Sequence, residues 1–166
     1  MKHLLCASLF VVTALTLSAS DLTETKEASI FVGGNHVGNG GGNHGMFSVA
    51  GGYGFAPKTQ VYGDYSMTTC GPGCKINDIQ GGVKVNIRDT DKYDPYVAVG
   101  IGVGHFSGGG GTHFGFHLGG GVRIYVPAKK NKWGVTPDFR YGHYFVSNKD
   151  LNVFRFGAGV FYEWGK

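Results

Sequence analysis

Residues 113–126 read HFGFHLGGGVRIYV, and this stretch decides the fold. Its apolar side chains fall on even positions, and its polar or small ones fall on odd positions. Successive side chains of a β-strand point to opposite faces, so the alternation predicts a strand with one apolar and one polar face. The apolar face carries Phe114, Phe116, Leu118, Gly120, Val122, Ile124 and Val126, and the other carries His113, Gly115, His117, Gly119, Gly121, Arg123 and Tyr125.

The same alternation recurs along the chain beyond residue 27, broken at intervals by turn-forming residues. Eight runs are predicted to be strands, near residues 27–35, 46–56, 59–69, 75–87, 95–105, 112–126, 133–146 and 152–164. Sorting every run by parity places one charge, Lys75, on the apolar faces. The other strand charges fall on the opposite faces: Glu27, Asp64, Asp78, Lys84, Arg123, Asp138, Arg140, Arg155 and Glu163.

This distribution of charge separates a membrane barrel from a soluble one. A soluble barrel has an apolar interior, whereas a small membrane barrel needs an apolar band that faces lipid and can keep a polar interior. Closure also pairs the backbone groups of every strand, which lipid cannot do. The sequence therefore predicts an all-β fold, an eight-stranded antiparallel up-and-down transmembrane β-barrel. Many of the 31 glycines would make room in a narrow lumen, where the nine inward charges form an ion-pair network.

Aromatic residues cluster at the two ends of the predicted apolar faces. A membrane barrel places two such girdles at the two membrane interfaces. Pro137 conflicts with a closed barrel because proline has no N–H to pair, so we expect a bulge or a local break there. One predicted girdle is Tyr53, Phe55, Trp133, Tyr162 and Trp164, and the other is Phe47, Tyr65, Phe114, Tyr141 and Phe145.

The N-terminus predicts export. Lys2 and His3 precede an apolar run from Leu4 to Leu17, and small residues follow at 18–20. This pattern is typical of a signal peptide, and the run is too short for a spanning helix of ~20 residues. We predict a signal peptide over residues 1–20, a short N-terminal segment over 21–26 and the barrel over 27–166, with an uncleaved anchor as the alternative. The net charge of +4 is too scattered to indicate nucleic acid binding.

Two cysteines would remain in the exported chain, because Cys6 leaves with the signal peptide. An even number of cysteines outside the cytosol indicates a disulfide. We predict a structural disulfide between Cys70 and Cys74, and a redox or metal role is the alternative. A hairpin centred on Pro72 sets three inward-facing pairs opposite each other: Cys70 with Cys74, Ser66 with Asp78, and Asp64 with Gln80.

The histidines and glycine-rich stretches are the other candidates for a site. His113 and His117 share the inward face, but they lie about 13 Å apart along a strand, too far to share a metal ion. Metal binding therefore stays an alternative to ordinary rim and lumen histidines. The glycines at 38–42 and 108–111 precede no helix and lack the lysine of a phosphate loop, so they indicate exposed loops. We predict no metal and no cofactor.

Three internal segments and the closing strand resemble the small outer-membrane β-barrel family of the OmpA/OmpX type. The segments are Pro95–Gly104, Phe116–Arg123 and Asp138–Tyr141, and the resemblance covers residues 27–166. It implies an N-terminus in the periplasm, with the first, third, fifth and seventh connections outside the cell.

The closing strand resembles the assembly signal of that family, which is a glycine, two residues, an aromatic, one residue and an aromatic. Gly159, Tyr162 and Trp164 match it. Two departures are the residues after the last aromatic, Gly165 and Lys166, and a glycine at 157 where the family has a polar residue. The resemblance implies the outer-membrane assembly machinery as a partner.

We predict a monomeric structural or surface-interaction protein of a Gram-negative outer membrane, surrounded by lipid and lipopolysaccharide, and not an enzyme. A narrow weak pore is one alternative, since eight strands leave no wide channel. A hydrolase is the other, because His143 to Ser147 resembles the active-site segment of outer-membrane lipid A deacylases, with Glu163 or Asp150 as the acid. Four residues of regular strand separate His143 from Ser147 by about 13 Å, too far for proton transfer.

Overall fold

A computed structural model describes residues 22–38, 41–70, 74–87, 90, 92–107, 110–126, 132–146 and 150–165. Each strand pairs antiparallel with its neighbours in the chain, and the last strand pairs with the first, so the sheet closes into a barrel. The predicted fold and its eight strands are confirmed, with strand ends that differ from the predicted ones by at most four residues. The strands are β1 (Lys26–Val37), β2 (Gly42–Ala56), β3 (Thr59–Thr69), β4 (Lys75–Asn86), β5 (Tyr93–Phe106), β6 (Gly111–Tyr125), β7 (Trp133–Tyr144) and β8 (Leu151–Trp164).

The barrel has two distinct ends. The start of β1 and the end of β8 lie at the terminal end, together with the connections β2–β3, β4–β5 and β6–β7. The connections β1–β2, β3–β4, β5–β6 and β7–β8 lie at the opposite end, here called the loop end. Among the described residues, no helix is both long and apolar enough to cross a membrane.

The N-terminal segment packs against the terminal end. Leu22 is buried, and its backbone N–H donates to the carbonyl of Pro57 in the β2–β3 turn at 2.9 Å. The predicted signal peptide, residues 1–20, lies outside the described residues. The division of the chain at residues 20 and 26 therefore stays a prediction.

Side-chain exposure alternates along the strands in the predicted sense. Outward Ile30, Val99 and Leu118 are 55%, 55% and 57% exposed, whereas inward Arg123 and Arg140 are 1% exposed. The outer surface of the barrel is thus mostly apolar, and the lumen holds most of the strand charges together with a few buried apolar residues such as Phe31 and Phe161. This polarity is the reverse of the arrangement that water favours for a soluble protein.

Inward glycines make room for large polar side chains in the lumen. A methyl group at Gly100 would lie 2.7 Å from the imidazole of His117, and one at Gly52 would lie 2.6 Å from the amide of Gln60. At Gly100 the methyl group would also clash with the carbonyl oxygen of Gly81, so this position needs glycine for space, whereas at Gly52 the flexible Gln60 side chain would have to move. The high glycine content follows from filling a narrow cylinder with long polar groups.

The β3–β4 hairpin has the predicted register. Asp64 lies opposite Gln80 and Ser66 lies opposite Asp78. Cys70 and Cys74 close the hairpin with a disulfide, and their Cα atoms are 5.0 Å apart. The separation agrees with the spacing of directly opposed strand residues that a disulfide requires.

Pro137 interrupts the β6–β7 ladder, as its missing N–H predicts. Gly121 pairs with Asp138 and Ile124 pairs with Val135, but the ladder between these two pairs is open. The register is the same on both sides, so the interruption is a local break and not a bulge. A bulge that sequence analysis did not predict occurs in β2, where the register with β3 shifts between Gly54 and Ala56.

Candidate functional site

The lumen holds most of its predicted charges in two clusters. In the lower cluster, near the terminal end, the Glu27 carboxylate accepts a hydrogen bond from Lys84 Nζ at 2.9 Å and lies 2.8 Å from Arg123 Nε. Arg123 Nε also lies 3.8 Å from the carboxylate of Glu163, whose two oxygens lie 3.0 and 3.1 Å from the Tyr125 hydroxyl that donates to this carboxylate. Strands β1, β4, β6 and β8 are thereby joined across the lumen.

The second cluster, called the middle cluster, joins β2, β3, β7 and β8. Arg155 donates two hydrogen bonds to the carboxylate of Asp64, at 2.7 and 2.8 Å, and a third to Ser48 Oγ at 2.9 Å. Arg140 places Nε 3.0 Å from the carboxylate of Asp138 and Nη1 3.7 Å from that of Asp64. Paired geometry of this kind compensates buried charges for the loss of water.

Asp78 departs from the predicted ion-pair network. Its described contacts are with neutral donors, because the Tyr144 hydroxyl donates to its carboxylate at 2.6 Å and Gln80 Nε2 donates to the same oxygen. The lumen bases Lys84 and Arg155 contact other carboxylates. Among the described residues no cation lies within ion-pair distance of Asp78, so its inclusion among the lumen ion pairs was wrong.

Tyrosines fill the space between the charges, and sequence analysis missed them. The ring of Tyr62 lies 5.2 Å from Lys84 Nζ and 4.9 Å from the Arg140 guanidinium. Tyr96 lies 5.4 Å from both Lys84 and Arg123, and its hydroxyl donates to Asp138 at 2.7 Å. Tyr62 thus contacts a cation of each cluster, and Tyr96 links the cations of the lower cluster to Asp138 of the middle cluster. Both tyrosines share the parity of the charged residues, and that signal was present in the sequence.

A small polar cavity lies in the lumen on the loop side of the middle cluster. Its volume is about 20 Å³, enough for about one water molecule. Among the described residues, four polar atoms of its lining have no hydrogen-bond partner: Asn35 Oδ1, Asp78 Oδ1, Gln80 Oε1 and Arg140 Nη1. One water molecule could donate to two of the three acceptors and accept from Arg140 Nη1. The space therefore suits a single water and is far too small for a solute path.

The predicted girdle residues all lie on the outward face. Neighbours within each girdle also touch, since Tyr162 stacks on Trp164 at 6.1 Å near the terminal end and Phe114 stacks on Phe145 at 6.4 Å near the loop end. Exposure of the rings on the outer surface of the barrel suits a membrane interface, where one side is apolar and the other is wet. The members placed outward are Phe47, Tyr53, Phe55, Tyr65, Phe114, Trp133, Tyr141, Phe145, Tyr162 and Trp164.

Two glycine-rich hairpins at the loop end repeat one arrangement. His44 Nε2 donates to the carbonyl of Gly41 in the β1–β2 hairpin, and His113 Nε2 donates to the carbonyl of Gly110 in the β5–β6 hairpin. Both turns contain a glycine at a left-handed φ, 79° and 78°, which only glycine adopts without strain. Within the described ranges, no three His, Cys, Asp or Glu side chains are placed to hold a metal ion.

The hydrolase alternative centres on His143 at the loop end of β7. Its Nδ1 bonds to Asn152 Oδ1 at 2.8 Å, and its Nε2 lies 3.6 Å from the carboxylate of Asp150. Glu163, the other candidate acid, lies in the lower cluster at the terminal end. Ser147 lies outside the described residues. Both imidazole nitrogens therefore contact groups other than a nucleophile.

The chain has the fold of the small eight-stranded outer-membrane β-barrels. No family model and no curated protein matches the sequence. Among solved structures, neisserial surface protein A is 15% identical, with a TM-score of 0.71 over 86% of this chain and 98% of that one. The N-terminal barrel domain of Pseudomonas aeruginosa OprF is 13% identical, with a TM-score of 0.64 over 86% and 98% of the two chains. The attachment invasion locus protein of Yersinia pestis, Ail, is 17% identical, with a TM-score of 0.56 over 84% and 99%. At these identities the likeness is one of fold.

Proposed function

We propose that the protein is an outer-membrane β-barrel with a structural or surface-interaction role. It spans the membrane as a closed cylinder, with the terminal end in the periplasm and short connections outside. The observation that carries the proposal is the polarity of the barrel: a continuous exposed apolar band surrounds a lumen of buried charges. An exposed apolar surface of this extent marks contact with lipid, because water would otherwise favour its burial.

The filled lumen favours this role over that of a diffusion pore. Arg123 and Arg140 are fully buried, and Tyr62 and Tyr96 occupy the space between the lower and middle clusters. Ion passage would require these side chains to part and would leave buried charges unpaired, at a cost of several kcal/mol for each ion pair broken (about 3–5). We therefore expect the loop end, and not the lumen, to carry the function.

The partners that we propose follow from the same surface. The apolar band contacts outer-membrane lipid and lipopolysaccharide around its whole circumference, which suits a monomer. The closing strand keeps the glycine and aromatic pattern at Gly159, Tyr162 and Trp164, and we expect the outer-membrane assembly machinery to bind it.

Refolding tests the proposal. Urea-unfolded protein that lacks residues 1–20 should refold into phospholipid vesicles, gain a β-sheet circular dichroism spectrum and migrate differently on gels before and after heating. In planar bilayers the refolded protein should give no regular unitary conductance. A folded, soluble monomer in detergent-free buffer would refute the membrane proposal, and stable conductance steps would favour a narrow pore.

A second candidate, hydrolysis of lipid A acyl chains, is favoured by the approach of Asp150 to His143. We do not adopt it, because a general base needs one nitrogen for the nucleophile and the other for its orienting acid. Here Nδ1 is taken by Asn152 and Nε2 faces Asp150. Refolded protein should release no acyl chains from lipid A. Release that disappears in Ser147→Ala would establish the hydrolase instead.

A further inference from the structure

Three histidines at the loop end face the lipid side of the barrel. His36 on β1 lies opposite the exposed Phe154, and the two ring centroids are 6.3 Å apart. His143 on β7 lies opposite Phe116, with ring centroids 5.3 Å apart. His105 on β5 is exposed on the same outer surface. These three residues are called the outer histidines; β1 and β7 are separated only by β8, and β5 lies further around the barrel.

The outer histidines lie at the height of the loop-end girdle or just above it. Phe154 pairs with both His36 and Tyr141, so His36 is level with a girdle residue. His143 follows Tyr141 by two residues on the same face of β7. Interfacial aromatic residues mark the boundary between acyl chains and headgroups, and the three imidazoles therefore lie at the depth of the lipid headgroups.

We propose that the outer histidines form an acid-dependent contact for the phosphate headgroups of lipids at the loop end. The proposal rests on the proposed function, because it requires the barrel to sit in a membrane. Imidazole is the side chain that changes charge between about pH 5 and pH 8. An imidazolium donates a charge-assisted hydrogen bond to a phosphate, whereas a neutral ring gives only an ordinary one.

In two of the outer histidines, His36 and His105, the ring is held so that Nε2 remains for a ligand, whereas in His143 Nδ1 bonds to Asn152 and Nε2 lies 3.6 Å from the carboxylate of Asp150. His36 Nδ1 bonds to Asn43 Oδ1 at 2.7 Å, and His105 Nδ1 bonds to Thr112 Oγ1 at 2.9 Å. In both cases the partner is a neutral side chain of the adjoining strand, and Nε2 is the nitrogen left for a headgroup. Such a restrained ring loses little conformational freedom when it binds.

The charged groups around the outer histidines are few among the described residues. His36 faces the neutral side chains of Asn43 and Phe154. Near His105, Asn77 lies directly opposite on β4. Lys75 lies two residues closer to the loop end, and its carbonyl oxygen accepts a hydrogen bond from the Ser107 N–H. Near His143, Asp150 is the charged neighbour and Asn152 and Phe116 are neutral. Among the described residues, one lysine and one carboxylate therefore flank the outer histidines.

The same end of the barrel provides a matched control. His44 and His113 lie at similar heights, but they are on the inward face and donate through Nε2 to the turn carbonyls of Gly41 and Gly110. Protonation of these two rings would add the same kind of charge at the loop end without placing it against lipid. Comparison of the two sets separates headgroup contact from a general gain of positive charge.

Native mass spectrometry can test the proposal on detergent-refolded protein titrated with phosphatidylglycerol, whose phosphodiester keeps one negative charge over this range. At about pH 5.5 the retained lipid should exceed that at about pH 7.5, by about fivefold for each imidazolium in contact. The triple variant His36→Gln, His105→Gln, His143→Gln should lose this increase, whereas His44→Gln with His113→Gln should keep it. Zwitterionic phosphatidylcholine should show no pH dependence in any variant.

Each outcome has one meaning. Equal retention at both pH values by folded parent protein overturns the headgroup contact and leaves the proposed function intact. Failure to refold into micelles at all refutes the proposed function first. Loss of the increase in the inward pair overturns the assignment to the outer histidines. Displacement of the lipid by an equal concentration of soluble glycerophosphate would show that a free phosphate, and not a lipid headgroup, is the ligand.

Discussion

A cation placed in the middle of the apolar band should be the most informative perturbation of this barrel. Leu118 is the central residue of β6, which runs over 15 residues, and it is 57% exposed on the outward face. Leu118→Arg would hold a guanidinium near the centre of the bilayer, where arginine costs about 2–4 kcal/mol in a transmembrane barrel. Urea titration of folding in phospholipid vesicles measures this cost directly as a shift in the free energy of unfolding.

The matched control is Val126→Arg, on the same outward parity just beyond the terminal end of β6. Because the cost of arginine falls to about 0–1 kcal/mol near the interface, the control should destabilise the barrel far less than Leu118→Arg. The difference between the two variants cancels effects on the unfolded chain. Equal free energies of unfolding for Leu118→Arg and the parent, or an equal loss in both variants, would refute the membrane assignment of this face.

Two further predictions concern the covalent and ionic links. Mass spectrometry of non-reduced protein isolated from the cell envelope should find a disulfide between Cys70 and Cys74. Two free thiols in that protein would contradict the disulfide. Reduction should cost less than the ~3 kcal/mol expected for a 15-residue loop, because this loop is far shorter. Lys84→Met should lower the free energy of unfolding by about 3 kcal/mol. This is the lower end of the range for a broken buried ion pair, because Arg123 still pairs with Glu27 in the variant. A loss under about 1 kcal/mol in vesicle unfolding would contradict this, because it is the value of an exposed pair.

Parity in the sequence predicts which face each side chain occupies, but not which side chain it meets. Inward placement of Glu27 and Lys84 follows from alternation within β1 and β4 alone. Their 2.9 Å contact depends on the stagger between strands that are not neighbours, and stagger is a property of the whole closed sheet. The same reason explains why Asp78 was assigned to an ion pair when its partner is Tyr144.

The sequence predicts correctly those features that depend only on residues close together in the chain. The Cys70–Cys74 hairpin fixes its own register because the turn and the disulfide lie within five residues of each other. Pro137 has no N–H, so the sequence predicts an interrupted ladder at this residue. It does not predict whether the interruption is a bulge or a local break. The bulge after Gly54 has no comparable signal, because no proline or charge marks it in the sequence.

The break at Pro137 weakens the pairing of β6 with β7. A closed barrel can unfold only after some pair of strands separates, and the β6–β7 seam has two consecutive residue pairs without ladder bonds. A shallow depression on the outer surface extends from this seam across β7 to β8, and its lining includes Gly120, Val122 and Phe156. Amide hydrogens beside Val122 should therefore exchange with solvent deuterium faster than those of the neighbouring β5–β6 seam. When the protein is pulled or heated, we expect this seam to open before the others.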